Sequence, residues 1–294
     1  MSQIIARCCR TVCLALVGSL VLPACHSSLP DVAEPVSPLP VRFLITFDDG
    51  PSGAARHNSS ALILDTLAQN RWQNGIKAIF FVQTRHRNGG GTEIGQQLMQ
   101  RMQREGHLLA LHTASARGHI NHTQMPLAEL DRSLVTGIED IRQISGVPPR
   151  FIRPPFWHHN PATLDRYAAH GLSMLLDDIS IGDGKVWGIT INPNARQRIR
   201  ADLQKVARRI RNDEIPAVSG YLPLVMTLHD TNPTTARNLE NYLGMLVEEA
   251  RHVGFTVDSQ PFITPGEELA QVAAVRANRP VLAHTGDTSV PGYR

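Results

Sequence analysis

Four apolar runs in this chain end on ionisable or metal-competent side chains, and that repetition constrains the fold more than any other feature. Val41 to Phe47 runs into Asp48-Asp49-Gly50-Pro51, and Leu108 to Leu111 runs into His112-Thr113. Phe151-Ile152 leads to Arg153-Pro154-Pro155-Phe156, and Leu222 to Leu228 leads to His229-Asp230. Short apolar runs bounded by turn residues read as buried strands. Further strands are expected over Ile76 to Val82 and Leu172 to Leu176. Helical periodicity falls between the strands, over Ala61 to Gln69, Ile94 to Glu105, Leu127 to Ile144, Ala201 to Ile210 and Ala236 to Val253, the last closed by Gly254. Such alternation predicts an α/β barrel or an open parallel sheet. In either, the C-terminal strand ends share one face, where barrel enzymes keep their sites. Each motif alone has an ordinary reading: Asp, Gly and Pro form turns, a lone His is usually structural, and an Arg often makes a surface ion pair. Four of them at four strand ends make convergence the better explanation.

The remaining composition narrows the chemistry. A chain of 294 residues that is 42% hydrophobic and 19% charged is neither disordered nor short of a core. Its net charge is +3 and no basic run stands out, so nucleic acid is not expected as a partner. All four cysteines, Cys8, Cys9, Cys13 and Cys25, precede the first strand, which excludes a disulfide framework or a thiolate metal site in the folded part. Arg7 and Arg10 precede a mostly apolar run of 12 residues, Thr11 to Leu22, against the roughly 20 that a helix needs to span a bilayer. Residues 1–24 are therefore expected to be a secretory signal. Leu22-Pro23-Ala24-Cys25 is similar to a bacterial lipobox, although Pro23 departs from the usual pattern. That similarity implies lipid on Cys25, export across the inner membrane, and a periplasmic or outer-membrane lipoprotein held to the membrane by its lipid. Residues 25–40, with four prolines between Ser27 and Pro40, read as a tether. Residues 41–265 read as the barrel and 266–294 as a C-terminal tail that opens with a short helix near Glu268 to Arg276, and the protein is expected to be a monomer.

Adjacent carboxylates at a strand end point in different directions, so one can hold a metal while its neighbour takes a proton from water. Together the motifs resemble the polysaccharide deacetylase family, the family-four carbohydrate esterases that share the NodB homology domain. The resemblance covers about Val41 to Pro265 and includes Lys77 to Val82 as well as Arg153-Pro154-Pro155-Phe156. It implies an irregular (β/α) barrel, removal of acetyl groups from N- or O-acetylated sugars, and a divalent metal, most often zinc. It also implies that Asp49 and His112 ligate the metal, that Asp48 is the general base and that Arg153 orients Asp48. His229 would be the general acid, with a later Asp raising its pKa. Asp178 is the first choice for that Asp, with Asp177 and Asp183 as alternatives, while Asp230 is expected to be ionised and unfit to donate. Phe156, whose backbone N–H is a candidate oxyanion donor, and Trp187 are assigned to substrate binding.

The family pattern His-Ser/Thr-x-x-His is broken here, because His112-Thr113-Ala114-Ser115-Ala116 puts Ala116 where the second histidine belongs. His119 is the nearest replacement. Seven residues along a continuous helix span roughly 10 Å, too far for two bonds of about 2 Å to one ion, so the chain would have to leave the helix. Gly118 permits that. His122, His158 and His159 are the other candidates, and a weakened or absent metal is the remaining outcome. The leading functional expectation is N-deacetylation of a cell-envelope or exported polysaccharide. A catalytically weakened glycan-binding relative and an amidase acting on a non-sugar acylated substrate are the alternatives.

Overall fold

The computed structural model describes residues 35–184 and 192–277. The strands are β1 Val41–Asp48, β2 Ala78–Gln83, β3 Leu108–Thr113, β4 Phe151–Ile152, β5 Ser173–Met174, β6 Ile179–Ser180, β7 Leu222–His229 and β8 Val257–Phe262. Between and after them come α1 Ser59–Ala68, α2 Glu93–Arg104, α3 Leu127–Ser145, α4 Pro161–Ala169, α5 Ala195–Arg211, α6 Pro233–Val253 and α7 Gly266–Ala277. The strand pairs are parallel and run in the order β5-β4-β3-β2-β1-β7-β6, with β8 added against the start of β1. This is the curled sheet of an irregular (β/α) barrel, open between β5 and β6.

Period-two alternation sorts each strand into two faces. Phe43, Ile45 and Phe47 of β1 join the core shared with the helices, as do Phe80 and Val82 of β2. The alternate residues Leu44, Ile79, Phe81, Ala110 and Val225 form a second apolar cluster inside the curl. Continuing that inner phase toward the strand ends gives Thr46 and Asp48 on β1, Gln83 on β2, His112 on β3, and Thr227 and His229 on β7. The interior is thus apolar below and polar above. Register keeps the upper layer level, since Asp48 pairs with His229 across β1 and β7.

The expected tail begins with a folded element. In α7, Leu269, Val272 and Ala273 are fully buried in the inner cluster. Each of the two larger side chains contributes about 1.5–3 kcal/mol of burial, so α7 closes the lower end of the curl as part of the domain. The tether also ends earlier than expected, because Val36 is buried and its N–H donates to the Gly254 carbonyl at 3.1 Å. Gly254 ends α6 in the left-handed region at φ 99°. Three elements absent from the sequence reading are α4, started by an Asn160 capping box with Pro161 in its first turn, the two-residue β6, and β8.

Candidate active site

Adjacent Asp48 and Asp49 serve different neighbours because the strand ends between them. Asp48 keeps the inner phase of β1, whereas Asp49 has φ 72°, a conformation uncommon outside glycine, which turns its carboxylate aside. Asp48 Oδ1 accepts a hydrogen bond from Arg153 Nη1 at 2.8 Å. The same nitrogen lies 2.8 Å from the hydroxyls of Thr46 and Thr227, and Arg153 Nε donates to the Leu175 carbonyl at 2.9 Å. Arg153 is fully buried, with its guanidinium 4.2 Å from the Phe81 ring centroid. It reaches from the β4–β5 side of the curl to β1 and β7, so it braces the open barrel as well as orienting Asp48.

Asp49 faces histidines. Its Oδ1 lies 3.3 Å from His112 Nε2 and 3.6 Å from His119 Nε2, and it accepts from Gln83 Nε2 at 2.7 Å. Burial works to raise the Asp49 carboxyl, yet the facing imidazoles of His112, His119 and His229 hold it well below the ordinary carboxylate range. One ligand atom from each of Asp49, His112 and His119 fits within a 4.8 Å set. Ligands about 2.1 Å from a tetrahedral ion lie roughly 3.4 Å apart, so the spacing suits a cation. The tautomer of His112 agrees. Its Nδ1 lies 2.7 Å from the Arg153 carbonyl, which can only accept, so Nδ1 carries the proton. In the neutral ring that a metal would require, Nε2 is the lone pair, and it is buried, without a hydrogen-bond partner, and turned toward a carboxylate oxygen. Two acceptors facing each other in a buried place are relieved by a cation between them. His119 is pushed down to about 4, chiefly by burial, which keeps it in the neutral form that ligates.

No helix follows His112: β3 ends at Thr113 and the next helical turn is His122–Gln124. Gly118 has φ 82°, and a Cβ there would come within 2.8 Å of Gln83 Oε1 and His86 Cδ2. Ala116 is exposed, with its carbonyl accepting from the Arg87 N–H at 3.3 Å. The other histidine candidates are occupied elsewhere. His122 Nδ1 lies 2.8 Å from the Tyr167 hydroxyl, His158 Nδ1 2.8 Å from Asn121 Nδ2, and His159 Nδ1 2.9 Å from the Trp157 carbonyl.

His229 is set opposite. Its Nδ1 donates to Asp183 Oδ1 at 2.8 Å, and its Nε2 faces Asp49 Oδ2 at 4.0 Å. Burial alone would lower the imidazolium pKa, but the charge and hydrogen bond of Asp183 outweigh it and push it up to about 10. Asp183 is itself fixed by the His229 N–H at 2.8 Å and the Thr235 hydroxyl at 2.6 Å. Asp178, the first choice from the sequence, is elsewhere. Its Oδ2 accepts from the Val225 N–H at 2.8 Å, and Arg209 and Arg276 donate to Oδ1 at 2.7 and 2.6 Å. Val225 precedes His229 by four strand residues, roughly 13 Å, so register puts Asp178 too low and brings Asp183 level. Asp178→Asn is therefore expected to lower stability by about 3–5 kcal/mol, as when one partner of a buried ion pair is removed, without altering the pH dependence of activity. Denaturant unfolding and a pH–rate profile check both halves. Asp177 lies on the same stretch, its carboxyl pushed up to about 6 mainly by burial, with Arg153 opposing. Asp230 also departs from expectation: it is fully buried against Gly50, with the Ser60 hydroxyl donating to it at 2.7 Å. Burial pushes its carboxyl up to about 7.

Phe156 has φ 59° and its ring centroid is 4.1 Å from that of His119, so it walls the cation site. Trp187 and Cys25 lie outside the described residues. Gln83, Thr46, Thr227 and Thr235 were missed from the sequence, although the inner phase of their strands identifies the first three.

Residues 40–175 match the family model described as polysaccharide deacetylase. Over that stretch, just under half of its length, the chain is similar to the polysaccharide deacetylase family. The matched stretch carries Asp48, Asp49, His112, His119 and Arg153, and the fold adds Asp183 and His229 from beyond it. Over 112 residues the chain is 31% identical to a peptidoglycan-N-acetylglucosamine deacetylase of Bacillus cereus, covering 38% of this chain and 35% of that protein. This chain thus spans about a third of the length of that relative. Among solved structures, the fold is shared with the chitin deacetylase of Colletotrichum lindemuthianum at TM-score 0.54 and 18% identity, covering 77% of this chain and 86% of that one. It is shared too with a family 4 carbohydrate esterase of Streptomyces lividans at TM-score 0.53 and 21% identity, covering 76% and 97%.

Proposed function

We propose that this chain is a metal-dependent deacetylase that hydrolyses N-acetyl groups on a cell-envelope or exported polysaccharide. The observation that carries this reading is the division of labour around Asp49. A cation site of one carboxylate and two imidazoles lies between a carboxylate anchored on a buried arginine and a histidine held protonated by its own carboxylate. Asp49, His112 and His119 would hold the metal, and this mixed oxygen and nitrogen donor set suits zinc. When bound, the metal supplies Lewis acidity toward the acetyl carbonyl and the water. Asp48, oriented by Arg153, takes a proton from the attacking water. His229 delivers a proton to the departing nitrogen, which is a poor leaving group without it. Phe156, exposed beside His119, offers an apolar face to the substrate. The carrying experiment is acetate release from N-acetylglucosamine oligomers by metal-loaded protein. Glycan binding without acetate release would support the alternative of a non-catalytic binder instead.

The acid role fixes a pH dependence. His229 must be protonated to donate, so with its pKa raised to about 10 the alkaline limb of kcat is expected near pH 10. Asp183→Asn removes the charge and weakens the hydrogen bond that raise the pKa most, leaving the burial that lowers it against the more distant Asp49 and Asp48. The limb is then expected to move to lower pH. A pH profile of kcat for both proteins is the check, and an unmoved limb would assign the proton to another group.

Export and lipidation of Cys25 complete the reading, supported by Arg7, Arg10, the apolar run and Leu22-Pro23-Ala24-Cys25. No helix among the described residues is long and apolar enough to cross a membrane. Wild type is expected in the membrane fraction and Cys25→Ala in the soluble fraction, because several acyl chains anchor firmly where one binds only marginally. Equal solubility of the two proteins would point to simple signal cleavage.

A further inference from the structure

The histidine that stands in for the missing ligand is borne by an irregular segment, and a ligand is only as well placed as the chain that carries it. β3 ends at Thr113 and regular structure resumes only at the single 3-10 turn His122–Gln124. His119 lies within this excursion, three residues before His122. Two side-chain ties to distant parts of the chain fasten the far end of the segment. His122 is buried, and its Nδ1 lies 2.8 Å from the hydroxyl of Tyr167 on α4, itself fully buried. Asn121 caps the turn by accepting from the Thr123 N–H at 3.0 Å and offers Nδ2 to His158 Nδ1 at 2.8 Å. His158 follows the Arg153-to-Trp157 stretch whose Phe156 ring packs against His119.

Resting on the metal-dependent reading above, we infer that Tyr167 and His158 are positioning residues for the metal, holding His119 at the cation site through His122 and Asn121. The His122–Tyr167 pair is a poor device for stability alone. Burial pushes His122 down to about 3, so the ring is neutral, and its Nε2 is buried without a hydrogen-bond partner. The unsatisfied nitrogen offsets much of what the single hydrogen bond contributes. What the pair does provide is direction. It fixes the ring of His122 against α4 and thereby the backbone three residues from His119, at the end of the stretch opposite the Ala116 carbonyl, which accepts from the Arg87 N–H at 3.3 Å, and the close approach of Gly118 to Gln83 and His86. A ligand freed from that restraint must be ordered anew each time the ion binds.

The test is the rate of zinc loss to a chelator, read beside the melting temperature of the metal-free protein. Tyr167→Phe removes the hydroxyl at nearly constant volume, and His158→Ala cuts the exposed tie without entering the core. Each is expected to speed zinc loss about tenfold, with His158→Ala leaving the metal-free melting temperature unchanged. Ile63→Val, which trims the buried face of α1 away from this segment, controls for general destabilisation and is expected to leave the zinc-loss rate unchanged. Wild-type loss rates in both tie variants would overturn the inference, as would Ile63→Val losing zinc as fast as Tyr167→Phe. A wild type that holds no zinc would overturn the metal-dependent reading and this one with it. Zinc held tightly by wild type and variants alike would overturn this one only.

Discussion

Asp48→Asn is expected to lower acetate release from N-acetylglucosamine oligomers about 1,000-fold while leaving the metal in place. The variant keeps the shape of the side chain and an oxygen for Arg153 Nη1, which donates to Asp48 Oδ1 at 2.8 Å in the native protein. It removes the only feature a base needs, a lone pair that can hold a proton. The metal should stay, because its candidate ligands are Asp49, His112 and His119, and the turn at Asp49 separates that carboxylate from its neighbour. Stability should fall as well, since Arg153 is fully buried and loses its charge partner. Acetate release, metal content and melting temperature are therefore measured together. Near-normal release would remove Asp48 as the base. Loss of metal would mean that Asp48 and Asp49 share the cation.

What could be read from sequence, and what could not, follows the range of the interactions that decide each feature. The strands at Val41, Leu108 and Leu222 are legible because a continuous apolar run between turn residues is a local signal, and so is the helix that ends at Gly254. Their polar last residues identify the site face for the same reason. The partner of His229 is a question of register: Asp177, Asp178 and Asp183 have similar local surroundings, and only the pairing of Ile179 with Met226 and Ser180 with Thr227 brings Asp183 level with His229. Two paired residues leave no periodicity to phase. β8 is hidden differently, since Val257–Phe262 contains Pro261 and exposed Ser259 and Gln260, which read as loop. For α7 the helix was visible, but its role was not, because burial of Leu269 and Val272 depends on an apolar interior built by strands far away in the chain. Thr46, Gln83 and Thr227 were recoverable. Once Asp48 and His229 are taken to face inward, counting back two residues on each strand reaches both threonines.

His119→Ala is expected to lose the metal, with affinity falling by more than about 100-fold, since even the residues that only orient metal ligands are worth 10- to 100-fold. The position where the sequence resemblance leads one to expect a histidine is Ala116, which is exposed, so Asp49 and His112 alone would leave most of the ion to water. His119 has the geometry to replace it, 3.6 Å from Asp49 Oδ1 and with its ring stacked 5.1 Å from that of His112. Gly118→Val should weaken metal retention for a separate reason. Its backbone sits at φ 82°, which a β-branched residue resists, and a Cβ would press on Gln83, whose amide holds Asp49 Oδ1 at 2.7 Å. Metal content by mass spectrometry after gel filtration, in wild type and both variants, decides the assignment. About one ion per wild-type chain and none in His119→Ala would fix His119 as the third ligand. Full retention by His119→Ala would exclude it. An empty wild type that still binds glycan would make this chain a reader of acetylated polysaccharide that does not turn it over.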